Sequence, residues 1–271
     1  MFKICCFCLA LVLAPFTVYS ASYTIGIVPQ HAPKVIAQAW QPLLSLIEEE
    51  TGHRIRFKTA KDIPTFEQAL AAGEYDFAYM NPYHFVVFNE SPGYRAMVRQ
   101  RDKAIKGIIV VHQSSSIRTL DDLNGKTIAF PAPAAFAATI IPRATLSTRD
   151  ITHTPTYVHS HDSVYLNVQR GFFEAGGGII RSLEASPKEV RQHLRVLWQS
   201  PPFTSHAIAS HPRVPDEHRK QITALMLSLS KSQSRNPVLS NLHMSGFERA
   251  KDGDWDDVRA LHIDLLSVPE K

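Results

Sequence analysis

The chain has 271 residues, of which 44% are hydrophobic and 20% charged, and a formal net charge of +4. That is the composition of a globular protein long enough for one large domain or two moderate ones, and the charge is too mild to argue for a nucleic-acid partner. Its three cysteines, Cys5, Cys6 and Cys8, all precede residue 20, so the rest of the chain has no thiol for a disulfide, a thiolate metal site or a cysteine nucleophile.

At the N-terminus Lys3 precedes an apolar stretch over residues 4–18, and Val18-Tyr19-Ser20 suits a cut after Ser20. This is the layout of a secretory signal peptide, and the run is shorter than the roughly 18 to 20 residues of a membrane-spanning helix. Residues 1–20 are therefore read as a signal for export to the periplasm.

Beyond it, residues 23–28 alternate as a half-buried strand that Pro29 ends. Val35, Ile36, Ala39, Trp40, Leu43, Leu44 and Ile47 then recur at helical spacing from Pro33 to a stop at Gly52. Residues 54–59 form a strand, 65–72 a helix closed by Gly73, and 75–80 a third strand. This alternation predicts a parallel α/β layer whose binding edge lies at the C-terminal ends of its strands, at Pro29-Gln30-His31, residues 59–63 and residues 81–84.

After a helix carrying Phe85 and Phe88, segments 94–100 and 106–112 look like an antiparallel pair, and 114–125 like a polar turn with a short helix. A second α/β unit begins with strand 126–130 and continues through helix 134–146, strand 156–159 and helix 162–170. A strand at Ile179-Ile180, helix 187–193 and strand 195–198 complete it, while 215–230 and 255–266 are helical by periodicity and return to the first unit. The expected division is a first lobe over 21–110, a second over 111–204 and a return over 205–271. Chain crossings near 110–112 and 200–207 would form the hinge.

Three motifs occur in this order: Trp40-Gln41-Pro42-Leu43-Leu44, then Asp76-Phe77-Ala78 after Gly73, then the Ser116 to Lys126 segment with Leu120, Asp122, Leu123 and Gly125. Together with the His161-Asp162 helix start and Leu197-Trp198 before Ser200-Pro201, they resemble the phosphonate-binding branch of periplasmic ABC transporter solute-binding proteins. The resemblance covers nearly the whole chain after residue 20. It implies a type II periplasmic binding protein fold, two lobes that are each a mixed α/β sheet flanked by helices, closing on a small-molecule ligand. It further implies delivery to a membrane transporter, usually an ABC permease; the expected state is a monomer without a cofactor.

The ligand-bearing places differ from the family pattern. Where the family carries a Ser-Thr-Ser run at a helix start, this chain has Pro131-Ala132-Pro133-Ala134-Ala135-Phe136-Ala137-Ala138-Thr139, with two prolines that donate no N–H. Ala134, Ala135, Phe136 and Thr139 are the candidate contacts there. The family's two acidic residues for an ammonium correspond to the glycine run around Gly177 and to about His206, next to Ser205, so these three positions are candidates facing a ligand without an amine. A phosphate-like or phosphonate-like oxyanion is the expected cargo; an apolar or aromatic molecule handed to a non-ABC partner is the alternative suggested by the Pro- and Ala-rich segment with Phe136.

Asn81-Pro82-Tyr83-His84 closes a strand and opens a helix, so Asn81, Tyr83 and His84 are either ligand contacts or parts of a helix cap. His159-Ser160-His161-Asp162 has the same two readings, with Asp162 or Ser163 as the cap, and the resemblance favours His161 as a contact. Thirteen histidines, three of them (His153, His159, His161) within nine residues, raise the question of a metal, but no acidic cluster accompanies them and none is expected. Gly176-Gly177-Gly178 lacks the Lys and hydroxyl of a phosphate loop and reads as a tight turn or as a close approach to ligand. Arg181 just beyond could supply charge to an anion. Adjacent Ser160, His161 and Asp162 do not make a catalytic triad, and no other nucleophile and base pattern occurs, so an enzyme is not expected.

Overall fold

The computed structural model describes residues 21–102, 104–231 and 237–266. The expected signal segment, residues 1–20, lies outside them.

β1 (Ser22–Ile27) runs through α1 (Pro33–Thr51) to β2 (Arg54–Lys58), and α2 (Ile63–Ala71) leads on to β3 (Phe77–Met80). In α1 the ring of Pro33 presets the first turn, and Ile36, Trp40, Leu43, Leu44 and Ile47 form one buried stripe. Gly52 ends the helix in the left-handed region at φ 71°, its N–H bonded to Glu48 O at 3.0 Å. Asp62 caps α2 by accepting Thr65 N–H at 2.8 Å.

α3 (Pro82–Glu90) precedes β4 (Arg95–Gln100), the short β5 (Ala104–Ile105) and β6 (Gly107–His112). Then come β7 (Lys126–Phe130), α4 (Ile141–Ser147), β8 (His153–Tyr157), α5 (His161–Gln169), β9 (Ala175–Ile179), α6 (Ile180–Ala185), α7 (Lys188–Arg191) and β10 (Leu194–Gln199). The chain returns through β11 (Phe203–Thr204), β12 (Ala207–Ser210), α8 (Asp216–Leu229), α9 (Pro237–Asn241), β13 (Phe247–Arg249) and α10 (Asp256–Arg259).

Two mixed sheets result. The first has the order β13-β4-β12-β3-β1-β2, the second β10-β6-β9-β7-β8, and β5 pairs antiparallel with β11 between them. Parallel pairing links β1 to β2 and β3 in one sheet and β7 to β8 and β9 in the other. Each lobe is thus the α/β unit that the strand-helix alternation implies.

Segments 94–100 and 106–112 do not pair with each other. β4 lies between β12 and β13, and β6 between β9 and β10, in different sheets. The first crossing therefore falls at Ala104–Ile105 and not near 110–112, because Ile108, Ile109, Val110 and Val111 are all fully buried inside the second sheet. The strand expected at 156–159 ends at Tyr157, and His159 has a left-handed φ of 72° that no strand can carry. Among the described residues of 255–266, only Asp256–Arg259 is α-helical.

The helix expected over 134–146 begins as a wide turn at Phe136–Ile140, with Ile141 N–H bonded to Phe136 O five residues back. Pro142 explains it: in a regular helix its ring would collide with the carbonyl of Ala138, and the wide turn removes the clash. That carbonyl presses instead on Gly177 of β9, as the carbonyl of Ala137 presses on Gly107 of β6. Gly176-Gly177-Gly178 is consequently a fully buried strand and not a tight turn. A methyl group on Gly177 would overlap the Ala138 carbonyl and the Phe130 ring, so Gly177→Ala should destabilise the fold by about 3 kcal/mol. A denaturant titration reads this, and an unchanged midpoint would contradict the packing.

Candidate functional site

The two lobes meet along the strand ends. Asn81 follows β3 and caps α3, its Oδ1 accepting His84 N–H at 2.8 Å. Its Nδ2 thereby points across the cleft and donates to Ala134 O at 3.2 Å. Asp162, in the first turn of α5, accepts from His31 Nδ1 at 2.7 Å and from Ala32 N–H at 3.1 Å. The cap of α5 is Ser160, whose Oγ accepts Ser163 N–H at 3.1 Å, which frees Asp162 for this bridge. Burial alone would raise the Asp162 carboxyl, but the bond and charge of His31 and the Ala32 N–H hold it below its ordinary value.

Arg181 makes the third bridge. Its Nη2 donates to Gln30 Oε1 at 2.7 Å, and its guanidinium lies over the Tyr79 ring, 5.3 Å from the centroid. With Oε1 thus assigned, Gln30 Nε2 must donate to His206 Nε2 at 3.0 Å, so His206 accepts there and is neutral. Burial pushes His206 well below the usual histidine range, with repulsion from Arg181, His161 and His84 adding to it. The ring stacks on Tyr79 at 5.0 Å.

His161 is held by Ser182 Oγ at 3.0 Å from its Nδ1. Burial takes its pKa down to about 3, helped by repulsion from His31 and Arg181 and opposed by Asp162. It too is a neutral polar group at ordinary pH. Gln30, Asn81, His161 and His206 surround the helix start at Ala135, Phe136, Ala137 and Ala138, together with Ile105 and Ile179. Phe136, Ala137 and Ala138 stand at the first three helical positions, where backbone N–H groups have no intrahelical acceptor.

A larger cavity of about 430 Å³ opens on the hinge side, sharing Ile105, Ile179 and His206 with this cleft and reaching Gln100, Lys106, Arg181 and Ser205.

Several expected contacts are elsewhere. Tyr83 is buried with its hydroxyl accepting Leu265 N–H at 2.8 Å and Leu266 N–H at 3.1 Å, because two helical positions beyond Asn81 turn a side chain through about 200°. His84 turns toward Glu67 of α2, 2.8 Å from its Oε1. Gly177 is covered by the Ala138 carbonyl, so its close approach is to protein backbone. The Phe136 ring packs edge-on to Phe203 at 5.2 Å, and Thr139 is wholly buried with its hydroxyl unpartnered. Ser205 lines the hinge-side cavity, its carbonyl accepting Trp255 Nε1–H at 2.9 Å. Sequence reasoning missed Gln30 and the His31–Asp162 bridge, although Pro29-Gln30-His31 was singled out as a strand end. Among the described residues, no group of three or more His, Asp and Glu side chains is placed to hold a metal ion.

Residues 25–255 match the family described as ABC transporter, phosphonate, periplasmic substrate-binding protein. The chain belongs to this phosphonate-binding family. A phosphate-import protein PhnD of Mycolicibacterium smegmatis is 23% identical over 186 residues, a match that takes in 58% of this chain and only 55% of that protein. The same fold recurs in a binding protein component of an ABC phosphonate transporter of Pseudomonas aeruginosa, with a TM-score of 0.81 at 15% identity over 90% of this chain and 86% of that one. It recurs also in PhnD1 of Prochlorococcus marinus in complex with methylphosphonate, with a TM-score of 0.80 at 14% identity over 89% and 96% of the two chains.

The buried histidines set the pH dependence. A group whose pKa is depressed by folding binds its proton more readily in the unfolded chain, so stability is complete above about 6.5 and falls as pH drops toward about 3. Asp162 acts in the same direction below its ordinary 3.8. Calorimetry should therefore give a lower Tm at pH 4.5 than at pH 7.5, with a smaller drop in His206→Gln; a flat or inverted profile would contradict the neutral assignments.

Proposed function

We propose that this protein is an exported, monomeric carrier that takes up a small oxyanion, phosphate or a phosphonate, between its two lobes and delivers it to the membrane permease of an ABC transporter. Residues 1–20 are the export signal in this reading, and the periplasm is the site of capture. The observation that carries it is the helix start at Phe136, Ala137 and Ala138, which lines a narrow cleft of about 10 Å³ together with neutral polar side chains from both lobes and whose first N–H groups have no intrahelical acceptor. The Ser-Thr-Ser hydroxyls of the family are missing there, so the oxyanion is held by backbone N–H groups with Gln30, Asn81, His161 and His206 as its side-chain partners. The names of the relatives, a phosphate importer and a methylphosphonate complex, support the same class of cargo.

Isothermal titration of the mature protein with phosphate, phosphite and methylphosphonate tests this. At least one should bind and raise Tm, by about 2.7 kcal/mol of added stability at a hundredfold excess over Kd. No heat and no shift with any of them would sink the oxyanion reading.

A further inference from the structure

The hinge-side cavity has a charge pattern that the oxyanion head does not use. Its volume of about 430 Å³ is within the range of roughly 300 to 1,000 Å³ typical of small-molecule sites and far exceeds the needs of a bare phosphate. Two of its residues are cationic, Arg181 and Lys106, and among the described residues neither has a carboxylate within 4.0 Å. Arg181 commits one N–H to Gln30 and also hydrogen-bonds the Tyr79 side chain, and the remaining N–H groups of its five-donor fork are left for a ligand.

Two further wall residues hold unpartnered polar atoms. Gln100 and Ser205 are only 7% and 5% exposed, and Gln100 Nε2 and Ser205 Oγ have no hydrogen-bond partner. Buried donors of this kind cost free energy unless something accepts from them. The acidic member of the wall, Asp102, is exposed and already lies 3.2 Å from Arg101 Nε. Ile105, Ile179 and Ile180 supply an apolar surface, and Ile105, Ile179 and His206 join the cavity to the cleft.

A cationic, donor-rich pocket continuous with an oxyanion site suits a second acid and repels an ammonium. We infer that the cavity takes a second anionic group of the ligand, so that the cargo is a phosphonate or phosphate bearing a carboxylate on a short alkyl arm and no amine. This rests on the carrier reading above. Arg181 receives the carboxylate through the N–H groups it does not spend on Gln30 and Tyr79, Lys106 adds charge, Gln100 and Ser205 donate, and the isoleucines pack the arm.

The decisive comparison uses two probes of nearly equal shape and opposite charge at the far end, phosphonoacetate and 2-aminoethylphosphonate, with methylphosphonate and inorganic phosphate as references. By isothermal titration, phosphonoacetate should bind at least tenfold tighter than methylphosphonate, and 2-aminoethylphosphonate more weakly than methylphosphonate. Because Arg181 also bridges the lobes, the readout is the ratio of phosphonoacetate to methylphosphonate affinity: Arg181→Met should collapse it toward one, and Lys106→Met, at a residue with no bond across the lobes, should reduce it severalfold. A ratio near one in the unaltered protein, a preference for 2-aminoethylphosphonate, or a ratio untouched by both variants would overturn the inference while leaving the oxyanion carrier standing. Binding of none of the four probes would overturn both.

Discussion

The hydrogen bond from Arg181 to Gln30 fixes the polarity of the whole cleft. By occupying the amide oxygen it leaves the amide nitrogen to face His206, which then has to accept and stay neutral. A histidinium at that position would confront a donor instead of an acceptor, inside a wall already carrying a guanidinium. The positive charge is therefore concentrated on Arg181 and on Lys106 at the hinge side, while the histidines serve as uncharged polar groups. One amide orientation thus separates the site into a neutral head region and a cationic end.

Closure obeys the same rule of pairing. The three bridges across the lobes each satisfy groups that burial would otherwise penalise: Asp162 with His31 and the Ala32 N–H, Asn81 with Ala134 O, Arg181 with Gln30. They come from residues immediately beyond β1 and β3 on one side and from helix starts on the other. Strand ends and helix starts are where side chains and backbone groups still have free valences, which is why an α/β lobe puts its binding edge there.

Much of the fold was legible because hydrophobic period and punctuation agree in the first hundred residues. The stripe of α1, its Gly52 stop and the buried run of β3 all coincide in pattern and structure. Asn81 and His161 could be picked out as residues at strand-to-helix junctions, and the structure brings both to the cleft. Tyr83 could not be separated from them without knowing which way the first turn of α3 rotates. The glycine run was ambiguous for another reason: Gly177 is required by the carbonyl of Ala138, some forty residues away and brought there by a turn that Pro142 widens, while Gly176 and Gly178 make room for the side chains of Val164 and Tyr165 on α5. Gln30 was legible only as part of a strand end and Arg181 only as a charge that could meet an anion, since the bond between them exists only once the lobes face each other.

The wide turn has a mechanical side as well. Ala132 and residues 134–138 are carried by the second lobe, yet they belong to the same continuous apolar core as Val28, Ile63 and Phe85 of the first. Parting the lobes would wet those methyl groups and the Phe136 ring, at about 25 cal/mol for each Å² of apolar surface exposed. The hydrophobic effect therefore acts across the cleft as a return spring, and any parting of the two lobes has to do work against it.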